Sequence, residues 1–496
     1  VGIVNAQDLG SNAREAEAPG AGIVRIGSGA GFAGDRLDPA LELAQFGNLD
    51  FLVFELLGER TVANAQRARL NNPAGGFDPT LIERIRLTAP HCAAHGTRII
   101  TNGGAANPVA AGLAVVDVVD ELGLDMSVAV VVGDDVFDEV LHVNPLTWED
   151  SESVDKVEGR LASANAYIGA AGITEALDDG AQIVITGRVA DPSLYVGPLM
   201  HRFGWSADDA DLVGQGTVVG HLLECGGQVT GGYFADPETK PVEGLDRLGF
   251  PFADVADDGH AVIGKLPGTG GAITVRSCTE QLLYEVGNPA AYITPDVIAD
   301  FTGIGLEEVG PDRVSVTGGR GAEAPADLKV TLGYLGGWEA EGQITYAGPR
   351  ALARAKWAAD IVLRRLDRVH GIPEEVLSVE YIGAGASFRG LDDDAAPSEV
   401  RLRIAGRAPT QRLAATIGAE VEGLYTNGPA GGGGARTLTR ESLGIKSCSL
   451  PRQLIDVTVI SDEELRERAR DSSAFSGADD SSDGEATKAV SNGGRE

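Results

Sequence analysis

The sequence predicts an α/β protein: a parallel sheet in its N-terminal part, then a mixed α+β region, then a small C-terminal α+β domain. Three observations carry this. Over residues 1–202 short apolar runs alternate with amphipathic runs of helical length, the pattern of βαβ units. Those short runs are apolar throughout, as strands covered on both faces require. After Phe203 glycine pairs and short β-prone stretches take over.

The elements follow in order. Gly22–Ile26 is the first strand. Asp38 is placed as a helix cap, with Pro39 at the first helical position and Leu41, Leu43 and Ala44 behind it. Leu49–Phe54 is a buried strand. Pro79–Ala94 is a helix stopped by Gly96. Thr97–Thr101 is a strand, Pro108–Leu122 a helix, Ser127–Val132 a strand, Val154–Leu177 a long helix and Ala181–Thr186 a fifth strand. Together they make a parallel, Rossmann-like sheet.

In residues 203–373, Val218–Phe234, Ala261–Val275 and Leu328–Thr345 are β-prone, while Ser277–Val286 and Pro295–Phe301 are helical patches. Pro349–Val369 is an amphipathic helix. In residues 374–460, strands at Val376–Ile382, Glu399–Ile404 and Leu454–Ile460 and a helix at Pro409–Glu422 make a small sheet with one covered face. Residues 461–496 form an acidic tail whose end is too poor in apolar side chains to fold. Domains of roughly 100–200 residues are consistent with this division.

The chain has 73 acidic residues against 40 basic ones, a net charge of −33, with only 7 lysines beside 33 arginines. Acidity spread along the chain points to a salt-in halophile, in which high salt screens the self-repulsion. It argues against nucleic acid, which requires a basic face. The four cysteines are far apart and match no zinc spacing; thiols so sparse fit a reducing cytoplasm. No apolar run reaches the roughly 20 residues that span a bilayer, so a cytoplasmic location with no membrane partner is expected.

Ligands of open parallel sheets bind at the carboxyl ends of the strands, and those ends carry the polar residues. The first strand runs into Gly27-Ser28-Gly29-Ala30-Gly31, followed by Gly34, Asp35 and Arg36. Its Gly29, Gly31 and Gly34 satisfy GxGxxG, and Glu55 ends the next strand. Three readings fit: a nicotinamide or flavin site, a phosphate or carboxylate cradle built on Ser28 and backbone N–H groups, or tight turns without a ligand. The helix start at Asp38 is too late for the dinucleotide motif, which disfavours NAD(P) and FAD. The third strand ends in Asn102, Gly103, Gly104 and Asn107, a second cradle or a strand–helix turn. Arg188 and Asp191 follow the fifth strand, where a guanidinium can grip an anion or lock onto its neighbouring acid. Asp134 and Asp135 read as a hard-cation site for Mg²⁺ or as a solvated acidic turn. His221, Glu224 and Cys225 bring a base, an acid and a thiol, and the spacing of three would put His221 and Glu224 on one face if the segment were helical; a small buried hydrophobe is the competing role for Cys225.

Six segments in this order resemble the acyclic terpene utilisation (AtuA-like) family: Arg25–Arg36 (RIGSGAGFAGDR), Leu52–Glu55 (LVFE), Thr101–Pro108 (TNGGAANP), Thr186–Asp191 (TGRVAD), Gly220–Pro237 (GHLLECGGQVTGGYFADP) and Tyr425–Arg436. The resemblance spans residues 20–455. It implies degradation of branched isoprenoid acids through acyl-CoA intermediates, and assigns no residue a role. The leading expectation is an enzyme of carboxylate or acyl-CoA catabolism, of hydratase, isomerase or lyase type. It would bind a small anionic substrate, a CoA thioester among the candidates, with Glu55, Asp191, His221, Glu224 and Cys225 as candidate catalytic groups. The alternatives are a non-catalytic subunit of a CoA-dependent complex, with a partner chain or a second copy, and a nucleotide-dependent oxidoreductase.

Overall fold

The computed structural model describes Ala16, Gly20, residues 22–387 and residues 397–476. Contacts divide the chain into two units, residues 1–143, 164–331 and 448–496 in the first and residues 144–163 and 332–447 in the second. Residues 203–373 thus contribute to both.

The first unit is built on a ten-stranded mixed sheet. Its centre is five parallel neighbours: Val24–Ala30, Phe51–Phe54, Arg98–Thr101, Ile183–Thr186 and Val128–Val132. Strands at Pro251–Val255, Ala261–Lys265, Arg313–Thr317 and Gly305–Gly310 extend it antiparallel beyond the first strand. Thr458–Ile460 closes the opposite edge, antiparallel to Val128–Val132.

The parallel strands are buried on both faces. Leu52, Phe54, Ile99, Val128, Val130 and Ile185 pack under the helices Asp38–Phe46, Leu81–His95 and Pro108–Glu121. The alternate residues Val53, Ile100 and Val184 are equally buried and, with a side-chain period of two, face the other way. There the helices Ala171–Asp178 and Ser193–Phe203 cover the sheet. Each fully buried aliphatic side chain contributes about 1.5–3 kcal/mol.

In the second unit, Leu377–Ile382 pairs antiparallel with Glu399–Ala408, which pairs antiparallel with the Trp338–Ala347 stretch of a longer strand. Helices Ala351–Arg365 and Gln411–Glu422 cover one face through Ala355, Val362, Ile417 and Val421.

Several expected elements differ. Val154–Leu177 is not one helix but a short 3-10 turn, a strand at Arg160–Ala166 and the helix Ala171–Asp178. Gly159 has φ +106, outside the helical region, and its alanine-rich successor is drawn into strand pairing against its propensity. Val218–Phe234 is not β: the helix Ala210–Leu223 runs through it. Pro295–Phe301 holds a strand, Ile298–Asp300, instead of a helix. Thr458–Ile460 joins the large sheet and not the small one, because Ile460 packs into the first unit's core. Gly432 begins the long strand Gly432–Pro451. The helix Asp462–Ser476 follows, with Leu465 fully buried and Arg466 paired to Asp120 at 2.8 Å. Residues 477–496 of the expected tail lie outside the described residues.

Candidate functional site

Because the five strands are parallel neighbours, the loops that leave their carboxyl ends share one edge of the sheet. Glu55 follows Phe54 directly and is buried. Its Oε1 accepts from the Leu57 N–H at 2.7 Å and from Asn102 Nδ2 at 3.0 Å. Asn102 Oδ1 in turn accepts from the Leu56 N–H at 2.7 Å. Asn102 therefore clamps the neighbouring loop. Gly104 sits where a Cβ would lie 2.5 Å from the Thr186 carbonyl, so the third and fifth strand ends can touch only through glycine.

Asp134 anchors the next loop. Its Oδ2 accepts from the Arg188 N–H at 2.8 Å and from Asn165 Nδ2 at 2.9 Å. Its carboxyl fills the space a Gly187 side chain would need. Burial pushes the Asp134 carboxyl up to about 6 despite these bonds. Asp135 turns away to Arg69 at 3.4 Å and is half exposed. The two adjacent aspartates, read as a cation site or as a solvated acidic turn, thus serve different partners. Among the described residues no group of three or more His, Cys, Asp or Glu side chains is arranged to hold a metal ion.

The Arg188 guanidinium is 2% exposed. It donates to the Leu57 carbonyl, stands 3.3 Å from Asp191 Oδ1 and lies 4.0 Å over the Tyr167 ring. The Tyr167 hydroxyl bonds the Glu59 carboxylate, which also meets Lys329 Nζ at 3.0 Å.

The helix Ala210–Leu223 delivers the remaining groups. Gly214 packs on the Arg320 backbone and Gly220 on the Pro192 backbone, where a Cβ would lie 2.3 and 2.7 Å away. Glycine normally costs a helix about 1 kcal/mol; here it lets the helix end press against the loop that carries Asp191. His221 Nδ1 meets Glu224 Oε1 at 2.8 Å, and the imidazole lies against Tyr292 and Phe301 with ring centres 5.1 and 5.5 Å away. Burial pushes the Cys225 thiol up, and Glu224, Glu55 and Asp191 push it the same way. That environment keeps Cys225 a thiol and opposes its use as a thiolate nucleophile.

Three carboxyls gather around one guanidinium, and they do not ionise alike. Burial pushes Glu55 up to about 7, against the bonds from Asn102 and Leu57. Burial holds the Asp191 carboxyl well above the usual range, beyond what Arg188 offsets. A third of the Asp191 side chain meets the cavity, while its Oδ1 is sealed. Burial also raises Glu59, but Arg188, Tyr167 and Lys329 outweigh it and bring that carboxyl to about 2. Arg188 Nε, His221 Nε2 and Glu224 Oε2 are buried without a hydrogen-bond partner, and Asp191 Oδ1 has only its ion pair. Buried polar atoms are rarely left so; four in one place mark where a ligand would bond.

Two cavities open here. The larger, about 600 Å³, is lined by Glu55, Asp191, Glu224 and Cys225, with Phe32 and Tyr233 among its exposed residues. The smaller, about 220 Å³, is lined by Tyr167, Arg188, His221, Tyr292 and Lys329. Asp191, Glu224, Glu59 and Glu285 line both.

The first-strand loop is used differently. Positions Gly27, Gly29 and Gly31 are closed by Leu49, the Phe54 ring and the Cys225 backbone, each leaving under 3 Å for a Cβ. The Gly31 N–H donates to Asp35 Oδ2 at 2.9 Å. Ser28 is fully buried beside Ala30 O and the Tyr195 hydroxyl. These glycines serve close packing, which leaves the loop little backbone to offer a phosphate. Arg36 bonds the Leu245 carbonyl at 2.9 Å and lines the larger cavity. Gly103 packs near Leu56. Asn107 caps the helix Pro108–Glu121 and donates to the Pro73 and Gly75 carbonyls.

Glu59, Tyr167, Tyr195, Tyr292 and Lys329 escaped the sequence reading. Glu59 carried a signal, lying four residues beyond Glu55 in ELLGE at the start of the helix Glu59–Asn71. Tyr167 and Lys329 carried none, since the Tyr167 N–H to Lys329 carbonyl bond at 2.9 Å joins positions distant in sequence.

No helix among the described residues is long and apolar enough to cross a membrane. No curated protein and no solved structure matches the chain. The family model described as acyclic terpene utilisation family protein AtuA matches residues 24–461, which takes in every group of the crevice. The chain belongs to the AtuA acyclic terpene utilisation family.

Proposed function

We propose that the chain is an acid–base enzyme that moves a proton on a branched carboxylate or its acyl-CoA thioester, in a hydration, isomerisation or lyase step. The observation that carries this reading is the gathering of Glu55, Glu59 and Glu224 around the Asp191–Arg188 pair at the junction of the two cavities. A carboxyl held at about 7 exchanges protons readily at neutral pH. In this reading Glu55 is the base, facing the larger cavity that receives the body of the substrate. Asp191, whose carboxyl burial raises well above the usual range, is the candidate donor. Glu224 orients His221 through Nδ1 and leaves Nε2 for a second transfer. Such chemistry needs no redox cofactor, and membership of a terpene utilisation family favours branched acids as the compounds to try.

The test is deuterium uptake. The full chain is incubated in D₂O with branched saturated and 2-enoyl thioesters and the free acids, and label at the carbons next to the carbonyl or double bond is read by mass spectrometry. Uptake that falls about 100-fold or more in Glu55→Gln supports the reading. Tight binding of a thioester with neither uptake nor turnover would sink it and favour the ligand-binding subunit. Stabilisation by NAD(P) alone would favour the oxidoreductase.

A further inference from the structure

The smaller cavity is walled by five carboxyls, those of Glu59, Asp191, Glu224, Glu285 and Asp327. Against them stand two cations, and both are already engaged: Arg188 lies 3.3 Å from Asp191 and Lys329 3.0 Å from Glu59. Such a wall disfavours an anion. The volume is also small. At about 30 Å³ per water, 220 Å³ has room for about seven waters, which is too little for a branched acyl thioester.

The atoms left unpaired on this wall are of both kinds. Arg188 Nε, on a side chain 2% exposed, is a donor without a hydrogen-bond partner. Glu224 Oε2 is an acceptor without one. His221 is 1% exposed, and its Nδ1 lies 2.8 Å from Glu224 Oε1. A carboxylate oxygen there can only accept, so Nδ1 carries the hydrogen and the neutral ring has its lone pair at Nε2. That acceptor also lacks a partner. A cation satisfies only the acceptors, and an anion only the donor. Water satisfies both, and a buried water takes about two to four such partners. The ring is fixed for proton transfer as well. Tyr292 and Phe301 lie against it, and the Glu224 carboxylate stabilises the imidazolium that forms when Nε2 takes a proton. Asp191 and Glu224 line the larger cavity too, so water in the smaller one borders the space that Glu55 faces.

We infer that the smaller cavity supplies the water of a hydration step, activated at His221 Nε2 and added to a 2-enoyl thioester that lies in the larger cavity. His221 takes one proton from the water, the oxygen bonds the β-carbon, and Glu55 gives a proton to the α-carbon. One O–H bond and the C=C π bond are lost, and a C–O and a C–H bond are gained. The electrons balance without an oxidant or a reductant. In reverse, Glu55 removes the α-proton of a 3-hydroxyacyl thioester and the imidazolium protonates the departing oxygen. The inference rests on the acid–base reading and narrows its three reaction types to one.

The test follows two labels. The full chain is incubated with branched 2-enoyl thioesters in H₂¹⁸O and with their saturated counterparts in D₂O, and both products are read by mass spectrometry. ¹⁸O should enter the β-hydroxyl of the hydrated product, and deuterium the α-carbon of the saturated thioester. His221→Gln should lower ¹⁸O incorporation about 100-fold or more, and far more than it lowers α-deuterium uptake, which belongs to Glu55. Glu224→Gln should act in the same selective way, by about 10-fold or more, and serves if the first variant does not fold. Deuterium uptake with no ¹⁸O in any product sinks the inference and spares the acid–base reading. ¹⁸O incorporation that survives both variants, or that falls only in step with deuterium uptake, also overturns the inference, since His221 then does nothing particular to water. Neither label in the wild type sinks the acid–base reading and the inference with it.

Discussion

The most voluminous of these cavities is not the crevice of the first unit. About 720 Å³ lies on the second unit's sheet, lined by Glu339, Glu341, Arg403, Arg407 and Arg440. These alternate with Ala340, Val400, Leu402 and Ile404, which face the helices, so the charged row occupies the opposite face. There the charges are matched. Arg403 meets Glu341 at 2.6 Å and Glu380 at 3.0 Å; Arg407 and Arg440 each meet Glu339 at 3.0 Å. Burial raises Glu339 and Glu341, but the bonds from arginine and their other neighbours outweigh it together and both carboxyls sit below their ordinary value. In the crevice the same residue types are buried with too few partners, burial pushes the Glu55 and Asp191 carboxyls up, and four polar atoms lack a hydrogen bond. Volume does not separate the two places. Unsatisfied polarity does, because a structural charge network is complete in the free protein and a binding site is completed by its ligand.

The largest effect expected from this contrast is on Glu55. Glu55→Gln should lower turnover about 10²–10⁴-fold and leave the fold intact, since glutamine keeps an acceptor for the Leu57 N–H. The stability of the variant carries a second signature. Between pH 4.5 and about 7 the folded protein holds a proton on Glu55 that the unfolded chain has released, so its stability falls as pH rises through that window. Asp134 adds to the same slope between 3.8 and about 6. Urea unfolding at pH 5 and pH 7.5 should therefore show the wild type losing roughly 1–3 kcal/mol more than Glu55→Gln over this interval. An equal loss in both would mean that Glu55 titrates normally and that the crevice is no different from the charged row.

Arg188 comes next. Arg188→Met removes the cation nearest Asp191 and Glu59, and stacks nothing comparable on Tyr167. Breaking a buried network from one side costs about 3–5 kcal/mol, and the Glu59 carboxyl should rise from about 2 as Arg188 is its largest favourable influence. Chemical denaturation gives the first quantity, and carboxyl titration by NMR the second. A loss below about 1 kcal/mol would place Arg188 among ordinary exposed ion pairs.

The parallel strands, their order of alternation with helices and the convergence of Glu55, Asn102, Asp134 and Arg188 on one rim were legible in the sequence, because apolar runs of strand length and the polar residues that end them are local signals. What each residue does there was not. Asn102 and Asp134 could be read as ligand-binding groups or as turn residues, and they clamp Glu55 and Arg188. The glycine pattern from Gly29 to Gly34 fitted a cradle or tight turns alike, and Gly29 and Gly31 sit at the close approach of Phe54 and the Cys225 backbone. The helix carrying His221 and Glu224 read as β because its glycines count against helix locally, whereas their reason lies in the Pro192 and Arg320 backbones. The last point can be tested directly. Gly220→Ala sets a Cβ 2.7 Å from the Pro192 carbonyl oxygen and 2.8 Å from its Cα, backbone that cannot give way. Despite the roughly 1 kcal/mol that alanine returns in helix propensity, overpacking of about 1–3 kcal/mol should leave the variant less stable and shift His221 from Asp191. Gly433→Ala, with nothing within 4 Å, is the matched control and should be neutral.

The smallest expected effect is the one on which the contrast turns. Arg403 is 29% exposed and Glu341 21%, so water still reaches both ends of the pair. An ion pair in that setting contributes about 0.2–1 kcal/mol, and 1 M salt, with a Debye length of about 3 Å, should erase most of it. A double-mutant cycle of Arg403→Gln and Glu341→Gln, measured in dilute buffer and again in 1 M salt, should give a small coupling that disappears. The same cycle on Arg188→Met and Asp191→Asn should give a larger coupling that salt alters less, because the Arg188 side chain is 2% exposed against 29% for Arg403. If the two cycles agree in size and in salt response, the arginine row and the crevice obey the same electrostatics, and incomplete pairing no longer marks out the site.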